Sequence, residues 1–198
     1  MDKQLLCPWC LGFDSYVDYH NNEWGVPCTH DKKLFEFLVL ESAQAGLSWA
    51  TILKRREGYR KAYADFDPVI VSEFTNTHVQ ELLMNSAIIR NRLKIESSIH
   101  NATCFIKVQE QYGSFAQYIW HYVNNQPIQN RWKTMAEVPF RTILSDKIAK
   151  DMKQLGFKFL GSTIMYSYLQ AMGLINDHLV HCPRYNEIQN KYGEKPVF

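Results

Sequence analysis

The stretch Gly156-Phe157-Lys158-Phe159-Leu160-Gly161 separates two segments of helical periodicity and forms a six-residue link with a glycine at each end. Glycine tolerates φ > 0, so Gly156 is suited to end a helix, while Gly161 allows the backbone to approach another molecule closely. Backbone amides in such a turn and at the start of the next helix favour an anion, and Lys158 adds positive charge. A DNA phosphate fits this pattern, and so does an ordinary corner between two helices.

Helical periodicity continues over most of the remaining chain. Asp31, Ser48 and Ser145 are predicted as helix caps, and the polar stretch Asn124–Pro139 is predicted as a surface loop or lobe crossover. The only alternation typical of a strand is Phe157–Leu160, where the two flanking glycines favour a turn. The sequence therefore predicts an all-α fold with helices over 32–45, 49–64, 78–84, 88–112, 115–123, 145–155 and 162–172.

Composition fits one large domain or two small helical lobes that share one core, because 46% of the 198 residues are hydrophobic. The formal net charge is only +2, so a nucleic-acid partner would need a local basic patch. A solvated helix face is the simpler interpretation of each of the three candidate patches. These patches are Lys54, Arg55, Arg56, Arg60 and Lys61; then Arg90, Arg92 and Lys94; then Lys147, Lys150, Lys153 and Lys158.

The amino-terminal sequence MDKQLL lacks the apolar core of a signal peptide, and no apolar run is long enough for a membrane span. These features predict a cytoplasmic protein with no membrane partner. In a reducing compartment the five cysteines are expected to be thiols or metal ligands rather than disulfides.

Potential metal ligands cluster near both ends of the chain. On a helix, His178 and Cys182 would point to one face, and a tetrahedral zinc site needs four such ligands. Cys7 and Cys10 form a CxxC pair, which is also typical of redox proteins, although no βαβ setting surrounds it. Spacing alone leaves seven candidates for four places: Cys7, Cys10, His20, Cys28, His178, His181 and Cys182.

Aromatic and acidic residues are concentrated before and within the first predicted helices. Glu41 lies on an otherwise apolar helix face, where an unpaired carboxylate is costly. It either pairs structurally or lines a pocket with Trp49 and the tyrosines, where it could accept hydrogen bonds from a nucleobase. The turn at Gly46-Leu47 could supply an apolar wedge of the kind that enters a base stack.

These motifs together resemble the type I 3-methyladenine DNA glycosylases, and the resemblance extends over nearly the whole chain up to Cys182. The matching stretches are Cys7-x-Trp9, Tyr16-x-x-Tyr19-His20, Asn22-Glu23-Trp24-Gly25-Val26-Pro27, Leu40-Glu41, Gln44-Ala45-Gly46-Leu47-Ser48-Trp49, Ile89-Arg90-x-Arg92-x-Lys94, Gly156-Phe157-Lys158-Phe159-Leu160-Gly161 and Gly173-Leu174-x-Asn176-Asp177-His178.

The resemblance implies an all-α helix-hairpin-helix DNA glycosylase fold in which one structural zinc ion joins the amino- and carboxyl-terminal regions. It implies a single catalytic unit over residues 1–198, and leaves open a flexible tail after residue 182. The implied zinc ligands are Cys7, His20, His178 and Cys182. Asn21 departs from the family, where aspartate is usual, and could only orient His20.

The resemblance also implies which residues bind substrate. Glu41 is expected to be the catalytic residue, within a base pocket formed by Trp9, Tyr16, Tyr19, Glu41, Trp49 and Ser167. Gly46 and Leu47 are expected to form the wedge. DNA contacts are expected from these two residues and from Gly156, Phe157, Lys158 and Gly161.

The implied activity is hydrolysis of the N-glycosidic bond of N3-methyladenine in alkylated double-stranded DNA, as part of base excision repair at the nucleoid. The enzyme is expected to be a monomer without strand-cleaving lyase activity, since no lysine nucleophile is evident near the pocket. Asp177 is expected to be structural rather than catalytic because it adjoins His178. The competing classes are a DNA-binding module without catalysis and a redox protein that uses Cys7 and Cys10.

Overall fold

The computed structural model describes residues 5–193 and 196–198, and α-helices form most of that part. The helices are α1 (Asp14–Asn22), α2 (Asp31–Gln44), α3 (Trp49–Ala62), α4 (Pro68–Ser72), α5 (Asn76–Met84), α6 (Arg92–Tyr112), α7 (Phe115–His121), α8 (Ile143–Gln154), α9 (Ser162–Ala171) and α10 (Pro183–Tyr192). Two short parallel strands, β1 (Ile128–Gln129) and β2 (Ile175–Asn176), pair with each other. The predicted all-α class is confirmed. In these described ranges, no helix is long and apolar enough to cross a membrane.

Helix α2 lies at the centre of the fold. Every residue from Leu34 to Ala43 is buried, and α2 packs against α3, α6, α7 and α9. Full burial of a Leu or Phe side chain stabilises a protein by roughly 1.5–3 kcal/mol, so this helix is held rigidly. Glu41 therefore sits on one of the best-anchored elements of the molecule.

Helices α8 and α9 pack against each other and are joined by the predicted turn at 156–161. Gly156 has φ +92°, as expected for a residue that ends a helix. The side chains of Phe157 and Leu160 are buried and hold the turn from inside. The expectation of a tight turn rather than a strand is confirmed.

The predicted helix over 88–112 begins later than expected, at Arg92. Residues 85–91 form a turn instead, in which the Asn85 side chain accepts a hydrogen bond from the Ala87 amide. The Asn91 side chain then caps α6 by accepting a hydrogen bond from the Lys94 amide. Periodicity missed this boundary because the two asparagines act through local side-chain hydrogen bonds.

Two predicted caps have different roles in the structure. Ser145 is not the cap of α8, because Thr142 occupies that position and pairs with Ser145 in a capping box. Asp31 does not cap α2 through its side chain. Its carboxylate instead accepts hydrogen bonds from the amides of Phe115 and Ala116, at 2.9 and 2.8 Å. Asp31 therefore stabilises the start of α7, a helix far away in the sequence.

We expect Asp31→Ala to lower the free energy of unfolding by about 2–3 kcal/mol, because two α7 amides and the Gln109 side chain lose a charged acceptor. Urea denaturation would measure the change. Asp18→Ala, at an exposed position on α1, is the matched control and should have little effect. Equal stability of the two variants would refute this role for Asp31.

The chain from His178 to Cys182 is a turn and not the helix that the four-residue spacing suggested. The two side chains nevertheless converge, because the turn folds back onto the amino-terminal segment. Residues after Cys182 continue as α10, which starts at Pro183 and buries Tyr185 and Ile188. A small apolar cluster joins the two chain ends and consists of Leu6, Cys7, Cys10, Leu179 and Cys182.

Candidate functional site

A pocket of about 290 Å³ opens beside the carboxyl-terminal half of α2. All six residues expected to form a base pocket line it: Trp9, Tyr16, Tyr19, Glu41, Trp49 and Ser167. They come from the amino-terminal segment and from α1, α2, α3 and α9. The fold thus brings together side chains separated by up to about 160 positions. The residues themselves suggested Glu41, Trp49 and the tyrosines, and only the family resemblance added Trp9 and Ser167.

Glu41 places an isolated carboxyl group in this pocket. The residue is 4% exposed, and its side chain accepts no hydrogen bond from any described residue. Burial raises the pKa of Glu41 from 4.5 to about 8. A buried carboxyl group without a partner destabilises the folded protein, and such groups are common where a ligand supplies the missing interaction.

Aromatic rings form the walls around Glu41. Trp9 lies 5.2 Å from Tyr16 and 4.9 Å from Trp24, and Tyr19 lies 5.4 Å from Trp49, measured between ring centroids. The indole N–H of Trp49 is buried and has no hydrogen-bond partner among the described residues. A flat ligand could stack on these rings and accept a hydrogen bond from that indole.

Asp177 lines the deep part of the same pocket, but its carboxylate is fully engaged. One oxygen accepts hydrogen bonds from Asn130 and Trp132, and the other from Tyr166 and Gln170, at 2.5–2.8 Å. A carboxylate has about four acceptor sites, so none remains for a water molecule or a sugar. The arrangement favours the structural role expected for Asp177.

The loop that precedes α8 supplies the outer lip of the pocket, which the sequence did not reveal. Met135, Val138, Pro139 and Phe140 all line the opening, and Phe140 is 72% exposed. The polar sequence predicted this region only as a surface loop or lobe crossover. No local signal in the sequence shows which part of the protein such a loop packs against. Other lining residues not predicted are Trp24, Gln44, Thr163, Tyr166 and Gln170.

The expected wedge forms a tight turn between α2 and α3. Gly46 has φ +77°, a conformation that favours glycine, and Leu47 is 41% exposed at the tip. A second depression, which also contains Glu41 and Ser167, begins at this turn. An exposed leucine next to a base-sized pocket has the geometry of an intercalating wedge.

Helix α8 and the turn that joins it to α9 carry a group of exposed lysines. Lys147, Lys150, Lys153 and Lys158 are exposed, and none forms an ion pair with a described residue. Apart from Gly161 and its two chain neighbours, no described residue has an atom within 4 Å of where a Gly161 side chain would start, so a ligand can approach there. Phe157 is buried against Phe115, so its side chain does not reach the surface.

Asn101 of α6 fixes the hairpin and was not predicted. Its side chain donates to the Lys158 carbonyl and accepts from the Lys158 amide, both at 2.8 Å. The Asn101 amide thus satisfies both backbone groups of Lys158, as a neighbouring strand would, and holds the turn against α6.

The other two basic clusters are neutralised only in part, because Arg56, Arg60 and Arg92 have acidic partners, whereas Lys54, Arg55, Lys61 and Arg90 form no ion pair with a described residue. Arg56 pairs with Glu23 and Glu36, and Arg60 pairs with Glu36 and Asp65. Burial alone would raise the pKa of Glu23, but its hydrogen bonds and ion pairs with Arg56 and Lys33 lower that pKa to about 2. In the cluster of Arg90, Arg92 and Lys94, Arg92 pairs with Glu96 and Lys94 is buried. The hairpin region differs from both clusters in that all four of its lysines are exposed and unpaired among the described residues, which suits it to a polyanion.

Cys7, His20, His178 and Cys182 meet in a buried cluster at the joined chain ends. Their ligand atoms all lie within 4.8 Å of one another, and each residue is 0% exposed. Hydrogen bonding from Cys7, and also from the two histidines, lowers the pKa of the Cys182 thiol, while the pKa of Cys7 is raised. Cys10 instead donates to the Cys7 carbonyl, and His181 is exposed.

The cluster geometry fits a tetrahedral zinc ion. His178 Nδ1 lies 3.1 Å from His20 Nε2, and Cys182 Sγ lies 3.7 Å from His20 Nε2 and 3.8 Å from His178 Nδ1. Tetrahedral Zn–S and Zn–N bonds require ligand separations of about 3.3–3.8 Å. The outer ring nitrogens are oriented by the Asn21 side chain and the Trp24 carbonyl. The donor types are those that zinc prefers, and four of the separations, at 3.1–3.8 Å, lie near the tetrahedral values.

An all-helical fold with a glycine-bounded hairpin between two helices and an aromatic pocket around a buried carboxyl group is typical of the helix-hairpin-helix DNA glycosylases. Comparison with known proteins agrees. The methyladenine glycosylase family model matches residues 9–185, and the chain belongs to this family.

Individual relatives match over nearly their full length. The chain is 46% identical over 176 residues to DNA-3-methyladenine glycosylase 1 of Escherichia coli (strain K12), covering 89% of this chain and 94% of that protein. A crystal structure of 3-methyladenine DNA glycosylase I superposes with a TM-score of 0.87 at 45% identity, covering 90% and 98% of the two chains. The Staphylococcus aureus 3-methyladenine DNA glycosylase I, solved to explain 3-methyladenine recognition, gives 0.87 at 37% identity, covering 89% and 94%.

Proposed function

We propose that this protein is a DNA repair glycosylase that hydrolyses the N-glycosidic bond of N3-methyladenine in alkylated DNA. The observation that carries the proposal is the unpartnered carboxyl group of Glu41 inside a base-sized aromatic pocket. The relatives' names and the matched family support the same activity. The substrate is double-stranded DNA, and the protein acts as a monomer.

Recognition depends on charge and on stacking. N3-methyladenine in DNA carries a positive charge, so an ionised Glu41 favours it over neutral adenine and accepts hydrogen bonds from its N–H groups. Trp49 and Tyr16 stack on the base, which contributes roughly 1–3 kcal/mol for each stacked base. A base can enter the pocket only after leaving the helix, and Leu47 fills the space that it vacates.

The chemistry needs little acid or base assistance. When the C1′–N9 bond breaks, its electron pair moves into the cationic ring, and the base leaves as a neutral molecule. Water then bonds to C1′ and releases its proton to solvent. None of the described residues that line the pocket is a lysine, which supports hydrolysis without a covalent sugar intermediate and without strand cleavage. The saturated hydrogen bonds of Asp177 support a mechanism that does not use it as a base.

We also propose that Cys7, His20, His178 and Cys182 hold one structural zinc ion. Four protein ligands leave no open position for water, so the ion would stabilise the fold without entering the reaction. The role is to fasten the amino-terminal segment, which carries Trp9, to the turn that follows Asp177.

Incubation of the purified protein with methylated duplex DNA tests the proposed activity. Mass spectrometry should identify free N3-methyladenine, and the DNA should contain abasic sites that break only after alkaline treatment. Binding without base release would instead identify a DNA-binding module. Strand breaks without alkali would refute the absence of lyase activity.

A further inference from the structure

Lys94 on α6 is a buried cation without an acidic partner. It is 9% exposed, and no described carboxylate forms an ion pair with it. Its ammonium group donates hydrogen bonds to the carbonyl oxygens of Ala43 and Ala45, at 2.8 and 2.6 Å. Burial of an ammonium group is costly, so these two hydrogen bonds must have a structural purpose.

The two carbonyls belong to the carboxyl-terminal end of α2. The last carbonyls of a helix lack partners within the helix and carry partial negative charge, so a cation there is favourable. The contact also clamps the backbone on either side of Gln44, whose carbonyl accepts a 2.6 Å hydrogen bond from the Leu47 amide. Lys94 therefore binds the backbone immediately before the Gly46–Leu47 wedge turn.

We propose that Lys94 is a positioning residue that holds the wedge turn in the conformation that enters DNA. This inference rests on the proposed function, because it assigns a role in base extrusion. Glu41 lies two residues before Ala43 and four before Ala45, so Lys94 also fixes the spacing between wedge and pocket. Without Lys94 the end of α2 would fray, and Leu47 would lose its defined direction.

A role as nucleophile does not fit the geometry. Lys94 does not line the pocket, and its ammonium group is directed at two backbone carbonyls. The predicted consequence of its removal is therefore weaker extrusion of the base and not a changed reaction type.

Lys94→Met tests this role, with Lys107→Met at an exposed position of the same helix as control. We expect kcat/KM on methylated duplex DNA to fall about 10–100-fold, since small displacements of positioning groups have effects of this size. The affinity for free N3-methyladenine, followed by quenching of tryptophan fluorescence, should change less than about twofold. Lys94→Arg keeps the donors and should restore most of the activity.

A 2-aminopurine base beside an abasic site in duplex DNA separates this role from general damage to the protein. Its fluorescence should rise when wild type disturbs the stack and should rise much less with Lys94→Met. If Lys94→Met weakens free-base binding as much as duplex excision, or changes neither, the proposal is wrong. A covalent DNA adduct at Lys94 after borohydride would also overturn it. If wild type releases no N3-methyladenine, the proposed function fails, but the 2-aminopurine difference still tests Lys94.

Discussion

Glu41→Gln is expected to lower kcat/KM for release of N3-methyladenine from duplex DNA by about 100-fold. The substitution preserves size and one acceptor but removes the negative charge that faces the cationic base. A hydrogen bond to a charged group contributes about 1.5–3 kcal/mol, and 3 kcal/mol corresponds to slightly more than 100-fold in rate. Initial rates of base release, measured by mass spectrometry, would give the ratio.

Glu36→Gln is the matched control for this substitution. Glu36 is also 4% exposed on α2, but it pairs with Arg56 and Arg60 and does not line the pocket. Its substitution should lower stability and leave the activity of the folded protein close to that of wild type. Full activity of Glu41→Gln would contradict the role of the carboxylate.

Cys182→Ser is expected to lower the Tm by about 10 °C and to reduce bound zinc from about one ion per chain to a small fraction. A structural zinc ion contributes its binding energy to folding, and loss of one thiolate ligand removes several kcal/mol of it. Metal analysis and thermal denaturation of the purified protein would measure both effects. A strong chelator should destabilise wild type and have much less effect on the variant.

Cys10→Ser separates zinc binding from redox chemistry. Cys10 is buried beside the cluster, but its thiol donates to the Cys7 carbonyl at 3.1 Å, which a serine hydroxyl can also do. We expect this variant to keep its zinc and its Tm. Metal-free wild-type protein whose Tm equals that of the untreated wild type would argue against a zinc site.

The helices were predictable because their signals are local. Glycines 46, 156 and 173 have positive φ at helix ends, and Ser48 accepts the hydrogen bond from the Thr51 amide that a cap should accept. Asp31 caps α7 instead of α2, because its carboxylate forms hydrogen bonds with a helix distant in sequence. Thr142 and not Ser145 caps α8, because both residues can accept the capping hydrogen bond and the sequence does not show which of them does.

The candidate site was predictable only in part. An isolated Glu41 on an apolar helix face is visible in the sequence, and the family resemblance adds the pocket residues and the four cluster residues. The lip at Phe140, the clamp at Asn101 and the saturated Asp177 were not predictable, because each depends on contacts between segments distant in sequence. Spacing alone does not separate Cys10 from Cys7; the family resemblance favours Cys7, and in the fold Cys7 joins the cluster while Cys10 donates to the Cys7 carbonyl.

The pH dependence of base release tests most directly whether the Glu41 carboxylate selects the cationic base. Folded Glu41 has its pKa raised to about 8, so the active ionised fraction should increase about tenfold per pH unit below 8 and level off above it. The ratio of wild-type kcat/KM to that of Glu41→Gln cancels other titrating groups at the DNA surface. We expect this ratio to rise with pH to a plateau, with an apparent pKa near 8. A ratio that stays constant from pH 6 to 9 would contradict recognition by an ionised Glu41.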